Sequence, residues 1–144
     1  MNNWVKIILL GFMIWVITFI AGFFIFFIFG AEIDGPPVEA LWVNGIAAFF
    51  LGIGLALALF LVYKDKGQDY KHTAWRAGIT WYVILLVMDM IVLVGLLGIK
   101  LDLWFPLIIT YFTVLVIPIV VGYLLDRNII KSSLNKNSTP KKIK

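Results

Sequence analysis

A single carboxylate, Asp89, interrupts the apolar run "WYVILLVMDMIVLV" between Trp81 and Val94. Counting about 1.5 Å per helical residue back from Ile99 puts it roughly 15 Å deep, near the middle of a hydrocarbon core about 30 Å thick. An aspartate at that depth costs about 2.5 to 3.5 kcal/mol on insertion, so it must be protonated, hydrogen-bonded, paired with a cation or in contact with water. The polar residues of comparable depth are Thr18, Asn44, Thr110, Tyr111 and Thr113. Tyr111 and Thr113 are expected to reach Asp89, because the segment that carries them follows it after a very short turn. Pro118 adds to a polar patch there, since its missing N–H frees the carbonyl of Val114, one residue from Thr113. No Lys or Arg lies inside an apolar segment, and Arg76 and Lys100 are each more than ten residues from Asp89. A cation paired with Asp89 would therefore come from another chain.

Three roles for Asp89 follow. A protonated side chain can fix helix packing through a hydrogen bond. A titrating one can handle a proton or cation on a transport path. A charged one can pair with a basic residue of another membrane subunit.

Other chemistries lack raw material. The chain has no cysteine, one histidine (His72, expected on the surface), and serines only at 132, 133 and 138. Ser/His/Asp catalysis, a haem held by two histidines and a multi-histidine metal site are excluded from the apolar body. Intramembrane aspartyl proteolysis needs two carboxylates sharing a proton, and the spans hold one. No cofactor, metal or nucleic-acid partner is expected, and enzyme activity is the least supported class.

The elements that would position Asp89 are legible in the hydropathy. Of 144 residues, 62% are hydrophobic and 14% charged, which assigns the chain to the lipid bilayer. Four apolar segments, at about Val5–Phe29, Val38–Val62, Ala77–Ile99 and Leu103–Leu125, are each long enough to cross as helices. Gly-Pro-Pro in "GAEIDGPP" ends the first connection, "KDKGQDYKHTAWR" is too polar for lipid, and "KLD" forces a tight hairpin between spans three and four. The acidic group Glu32, Asp34 and Glu39 reads as a solvated turn, and "FFIFFIF" (Phe23 to Phe29) as lipid-facing bulk.

In a four-span arrangement eleven of the twelve Lys and Arg residues fall on one side, and Lys100 alone falls on the other with Glu32, Asp34, Glu39 and Asp102. Cytoplasmic loops retain basic residues, so both termini are expected in the cytoplasm. Trp4, Tyr63, Trp75, Trp81 and Tyr123 are placed at the cytoplasmic headgroup level, Trp42 and Trp104 at the outer one, and Trp15 is the exception near mid-span. The expected architecture is an all-α, four-helix transmembrane bundle of the cell membrane. Residues 1–125 form one multi-pass domain, and 126–144 form a basic tail expected to be disordered.

The second span carries Asn44, Ala48, Gly52 and Ala56 at steps of four, thickened by Gly54 and Ala58, a small-residue seam that permits close backbone approach within the chain or to a second copy. Its start, "VNGIAAFFLG", resembles the V-N-x-x-G-S-F-x-x-G segment of the small four-helix fluoride channels, with Asn44, Phe49 and Gly52 as matching residues. The resemblance implies an antiparallel dimer. It covers ten residues and departs at Ala47 and Ala48, where the family has Gly and Ser. The chain also lacks the family's arginine motif in helix one and its Thr-Thr-Phe-Ser-Thr-Phe break in helix three. The one-sided basic residues oppose dual topology, so no family is assigned.

Two functional expectations remain. One is an oligomeric transport or channel component with Asp89 as a proton or cation site and Tyr111, Thr113, Asn44 and Thr18 around it. The other is a non-conducting accessory, immunity or regulatory subunit that binds a larger membrane complex through the second span or Asp89.

Overall fold

The computed structural model describes residues 3–29, 37–64, 69–98 and 101–138, and within them the side chains of 3–24, 45–64, 69–98, 101 and 105–129. Helix α1 spans Asn3–Phe29, α2 Pro37–Tyr63, α3 Tyr70–Asp89 and α4 Leu101–Ser138, and a π-helical segment, Met90–Leu96, continues α3. No strand occurs among the described residues. Each of the four helices contains a stretch long and apolar enough to cross a membrane. Helix is the form such segments take because it satisfies every backbone N–H and C=O within the segment.

The helices outrun the apolar segments at two ends. Helix α3 begins at Tyr70, seven residues before the expected Ala77. The Asp69 side chain accepts the His72 backbone N–H at 3.1 Å, and the Asp69 carbonyl accepts that of Thr73 at 3.0 Å. This cap starts the helix in the polar stretch, so hydropathy alone placed its beginning too late. Helix α4 passes Leu125 and stays helical to Ser138, into the tail expected to be disordered. No Gly or Pro stands between Gly122 and Pro140 to stop it, and Asp126 is tied to Lys71 of α3 at 2.9 Å. At its far end the third span closes with Leu97 N–H donating five residues back to Val92 at 3.0 Å, and Gly98 turns the chain with a φ of 67°.

In packing order the bundle reads α2, α1, α3, α4. The C-terminal end of α2 also meets α4, where the Tyr63 hydroxyl donates to the Pro118 carbonyl at 2.8 Å. One core cluster joins all four helices through Ile14, Leu55, Trp81, Leu85 and Val114. Helices α1 and α3 run parallel, with Trp81 Nε1 donating to the Ile7 carbonyl at 2.8 Å and the Arg76 guanidinium 5.0 Å from the Trp4 ring. Helices α3 and α4 form the expected antiparallel hairpin. They approach so closely that a Cβ on Gly78 would lie 2.8 Å from the Leu115 carbonyl oxygen, and one on Gly122 would overlap the Ala74 Cβ. These contacts gather Lys71, Arg76 and Arg127 at one end of the bundle. Large apolar side chains cover the outside, with Ile109 78% and Leu96 75% exposed, a surface suited to acyl chains and not to water.

Packing settles two faces: the Ala48, Gly52 and Ala56 stripe does not pack within the chain, which leaves contact with a second copy as its remaining alternative, and Trp81 points inward. Ala48, Gly52 and Ala56 point outward, and a Cβ on Gly52 would meet nothing within 4 Å. A step of four advances about 40° beyond a full helical turn, so this stripe drifts off the inner face. Of the small residues, Gly54 and Ala58 do face inward: α2 buries Leu51, Leu55, Ala58 and Val62, spaced four, three and four, with Gly54 against α1, where its Cβ would lie 3.3 Å from the Ile14 Cα. Trp81 faces inward and is fully buried in the core, where its N–H has an acceptor. An indole whose N–H has an acceptor gains more from packing there than from the interface.

A candidate intramembrane polar site

Asp89 closes the α-helical part of α3 and is 4% exposed, the one buried charged residue among those described. Burial on α3 follows the spacing Ala74, Ala77, Gly78, Trp81, Leu85, Asp89, a single stripe at helical intervals. The aspartate thus occupies a position that the helix pattern reserves for the core. It lies 12 residues, about 18 Å of helix rise, from Ala77.

Two donors meet it from two other helices. Trp15 Nε1 of α1 donates to Oδ1 at 2.8 Å, and the Tyr111 hydroxyl of α4 donates to Oδ2. Both donors come from side chains that are apolar except for one group. Tyr111 is itself buried, and the Trp15 ring stacks on Phe19 with centroids 4.9 Å apart. The carboxyl group therefore bonds three helices into one unit. Each of its oxygens has a protein partner, which is what a polar group at this depth requires.

The other residues expected around Asp89 are placed differently. The Thr18 hydroxyl donates to the Ile14 carbonyl of its own helix at 2.9 Å. The Thr113 hydroxyl does the same to Thr110 at 2.7 Å, and that of Thr110 to Pro106 at 3.3 Å. A threonine in lipid satisfies itself by bonding back one turn, so depth alone does not recruit it to a neighbouring helix. The side chain of Asn44 lies outside the described residues. At Pro118 the carbonyl that takes part in a side-chain hydrogen bond is its own, which accepts from the Tyr63 hydroxyl at 2.8 Å.

Trp15 is the site residue that sequence reasoning did not assign. The signal was present, since Trp15 was the one tryptophan that fitted neither headgroup belt. An indole N–H at mid-depth needs an acceptor, and Asp89 is the acidic one available in the spans.

The site admits some chemistry and disfavours other kinds. Tryptophan can only donate, so Oδ1 accepts whatever the protonation state of Asp89. The Tyr111 hydroxyl can donate to a carboxylate or accept from the acid, so a proton can be gained or lost at Oδ2 with the heavy atoms in place. A metal cation is poorly served, because the groups facing the carboxyl are donors and a cation needs converging acceptor oxygens. Among the described residues no group of three or more His, Asp or Glu side chains could bind a metal.

Fold and site together define a small all-helical protein with four candidate membrane spans joined around the one buried carboxyl group among the described residues. No protein-family model, curated protein or solved structure matches the chain.

Proposed function

We propose that the chain is a non-conducting subunit of the cell membrane, with both termini in the cytoplasm, whose buried Asp89 ties its helices into a rigid body that associates with other membrane proteins. The observation that carries this reading is the enclosure of Asp89, which is 4% exposed with both oxygens engaged by Trp15 and Tyr111 of the same chain. A carboxylate waiting for a cation from another subunit would present a free oxygen at the surface. A residue on an ion path would border a wetted opening.

The test is a flux measurement on the full-length protein in liposomes, with a pH gradient and then a Na+ or K+ gradient. The proposal expects dissipation no faster than in protein-free liposomes, for the natural chain and for Asp89→Asn alike. Dissipation by the natural chain that Asp89→Asn abolishes, with the fold retained, overturns it.

One observation favours the second reading, a proton-handling component. The π-helical segment starts at Met90, directly after Asp89, and π-turns within helices are frequent at functional sites. Together with the reversible Tyr111 hydrogen bond, this gives Asp89 the local means to exchange a proton. The pH-gradient arm of the same assay decides between the two.

A further inference from the structure

Away from Asp89, at the cationic end of the bundle, α3 and α4 border a groove of about 720 Å³. Its inner part is apolar, formed by Val120, Tyr123 and Leu124, and its outer rim carries Lys71, Asp126 and Arg127. Lys71 is fixed at this rim, with Nζ 2.9 Å from Asp126 and 5.4 Å from the centre of the Tyr123 ring. Arg127 is exposed and has no acidic partner among the described residues. The rim thus has one cation neutralised and one in excess.

This arrangement matches one kind of occupant. Val120 lies almost two helical turns inward from Arg127 on a helix whose candidate span is Phe105–Ile129, so the lower groove opens on the lipid-facing side. A molecule filling it must be apolar below and anionic above. A guanidinium with no carboxylate partner among the described residues is suited to two-point bonding of a phosphate, while the Lys71 ammonium on the same rim offsets the Asp126 carboxylate that would otherwise repel it.

We propose that the groove binds one anionic phospholipid, with an acyl chain along Val120, Tyr123 and Leu124 and its phosphate against Arg127, the cation in excess at the rim. The inference is independent of the role assigned to Asp89. It concerns a fixed lipid, distinct from the general attraction of basic segments to an anionic membrane surface.

The experiment is native mass spectrometry of the full-length protein in neutral detergent, with palmitoyl-oleoyl phosphatidylglycerol or the matching phosphatidylcholine added. Retention of a single phosphatidylglycerol, preferred about tenfold or more over phosphatidylcholine, is expected. Arg127→Ala should lower that preference about fivefold, Arg127→Lys should restore most of it, and Val120→Trp should displace both lipids. Both positions are exposed, so these variants keep the fold, which a melting temperature verifies. Equal retention of the two lipids overturns the proposal. So does retention insensitive to Arg127→Ala and Val120→Trp, or displacement of the lipid by an equal concentration of glycerol phosphate, which would mark a site for free anions.

Discussion

Trp15 and Asp89 are separated by 74 positions in the chain, the same interval that separates Ile7 from Trp81. Both pairs are hydrogen-bonded, and in each an indole is the donor. One indole reaches from α1 to α3, the other from α3 to α1, two turns apart along parallel helices. A shared offset over eight residues means that α1 and α3 keep one register, set by two indole N–H groups that have no water to turn to. Asp89 is the upper of the two fastenings and also engages α4 through Tyr111.

If Asp89 acts through its hydrogen bonds, the amide of Asp89→Asn can replace them, with its oxygen accepting from Trp15 and its NH2 donating to Tyr111. Unfolding in detergent by denaturant should then show a loss below about 1 kcal/mol for Asp89→Asn. Asp89→Leu, which strands both donors, should lose about 1 to 3 kcal/mol. Equal losses in the two variants would refute the hydrogen-bonding role.

Tyr111→Phe removes one donor and leaves the ring, and Trp15→Phe removes the other together with part of the indole. Each should destabilise by about 0.5 to 2 kcal/mol, and the double variant should depart from additivity by about 0.5 kcal/mol or more, because the two groups share one carboxyl. Strict additivity in the same unfolding assay would show that they act on Asp89 separately.

Close packing distinguishes three glycines. Gly78→Ala and Gly122→Ala press a methyl group against the Leu115 backbone and the Ala74 side chain, and each should cost about 1 to 3 kcal/mol. Gly52→Ala meets open space and should change stability by less than about 0.5 kcal/mol. Thermal melting of the three purified variants checks the order, and a large loss at Gly52 would mean that α2 packs through its small-residue stripe.

Orientation can be read with introduced thiols, since the natural chain has none. In intact cells Lys100→Cys should react with a membrane-impermeant maleimide, and Ser133→Cys should react only after the membrane is opened. The opposite pattern would invert the proposed topology.

The four helices were legible in the sequence because membrane insertion is a one-dimensional rule. Each backbone must satisfy itself over about 30 Å, and apolar length with polar breaks records that directly. The capped start of α3 at Asp69 and the extension of α4 past Leu125 were less legible, because helix ends obey capping and chain continuity and not hydropathy. The partnership of Asp89 with Tyr111 could be anticipated from the short hairpin, which keeps their separation in sequence small.

What needed the tertiary structure was the choice among groups of equal depth. Thr18, Thr113 and Tyr111 are all polar and all within reach in a linear sense, yet two bond back to their own helices and one crosses to Asp89. Trp15 came to the site through the parallel register of α1 against α3, a relation between residues 74 positions apart that no local pattern encodes. The outward turn of Ala48, Gly52 and Ala56 was likewise decided by how α2 rotates to bury Leu51, Leu55, Ala58 and Val62. The sequence by itself determined that four spans exist and that one of them carries a carboxyl group. Which side chains enclose that group was decided by helix rotation and register, quantities set by the packing of whole faces and not by any single residue.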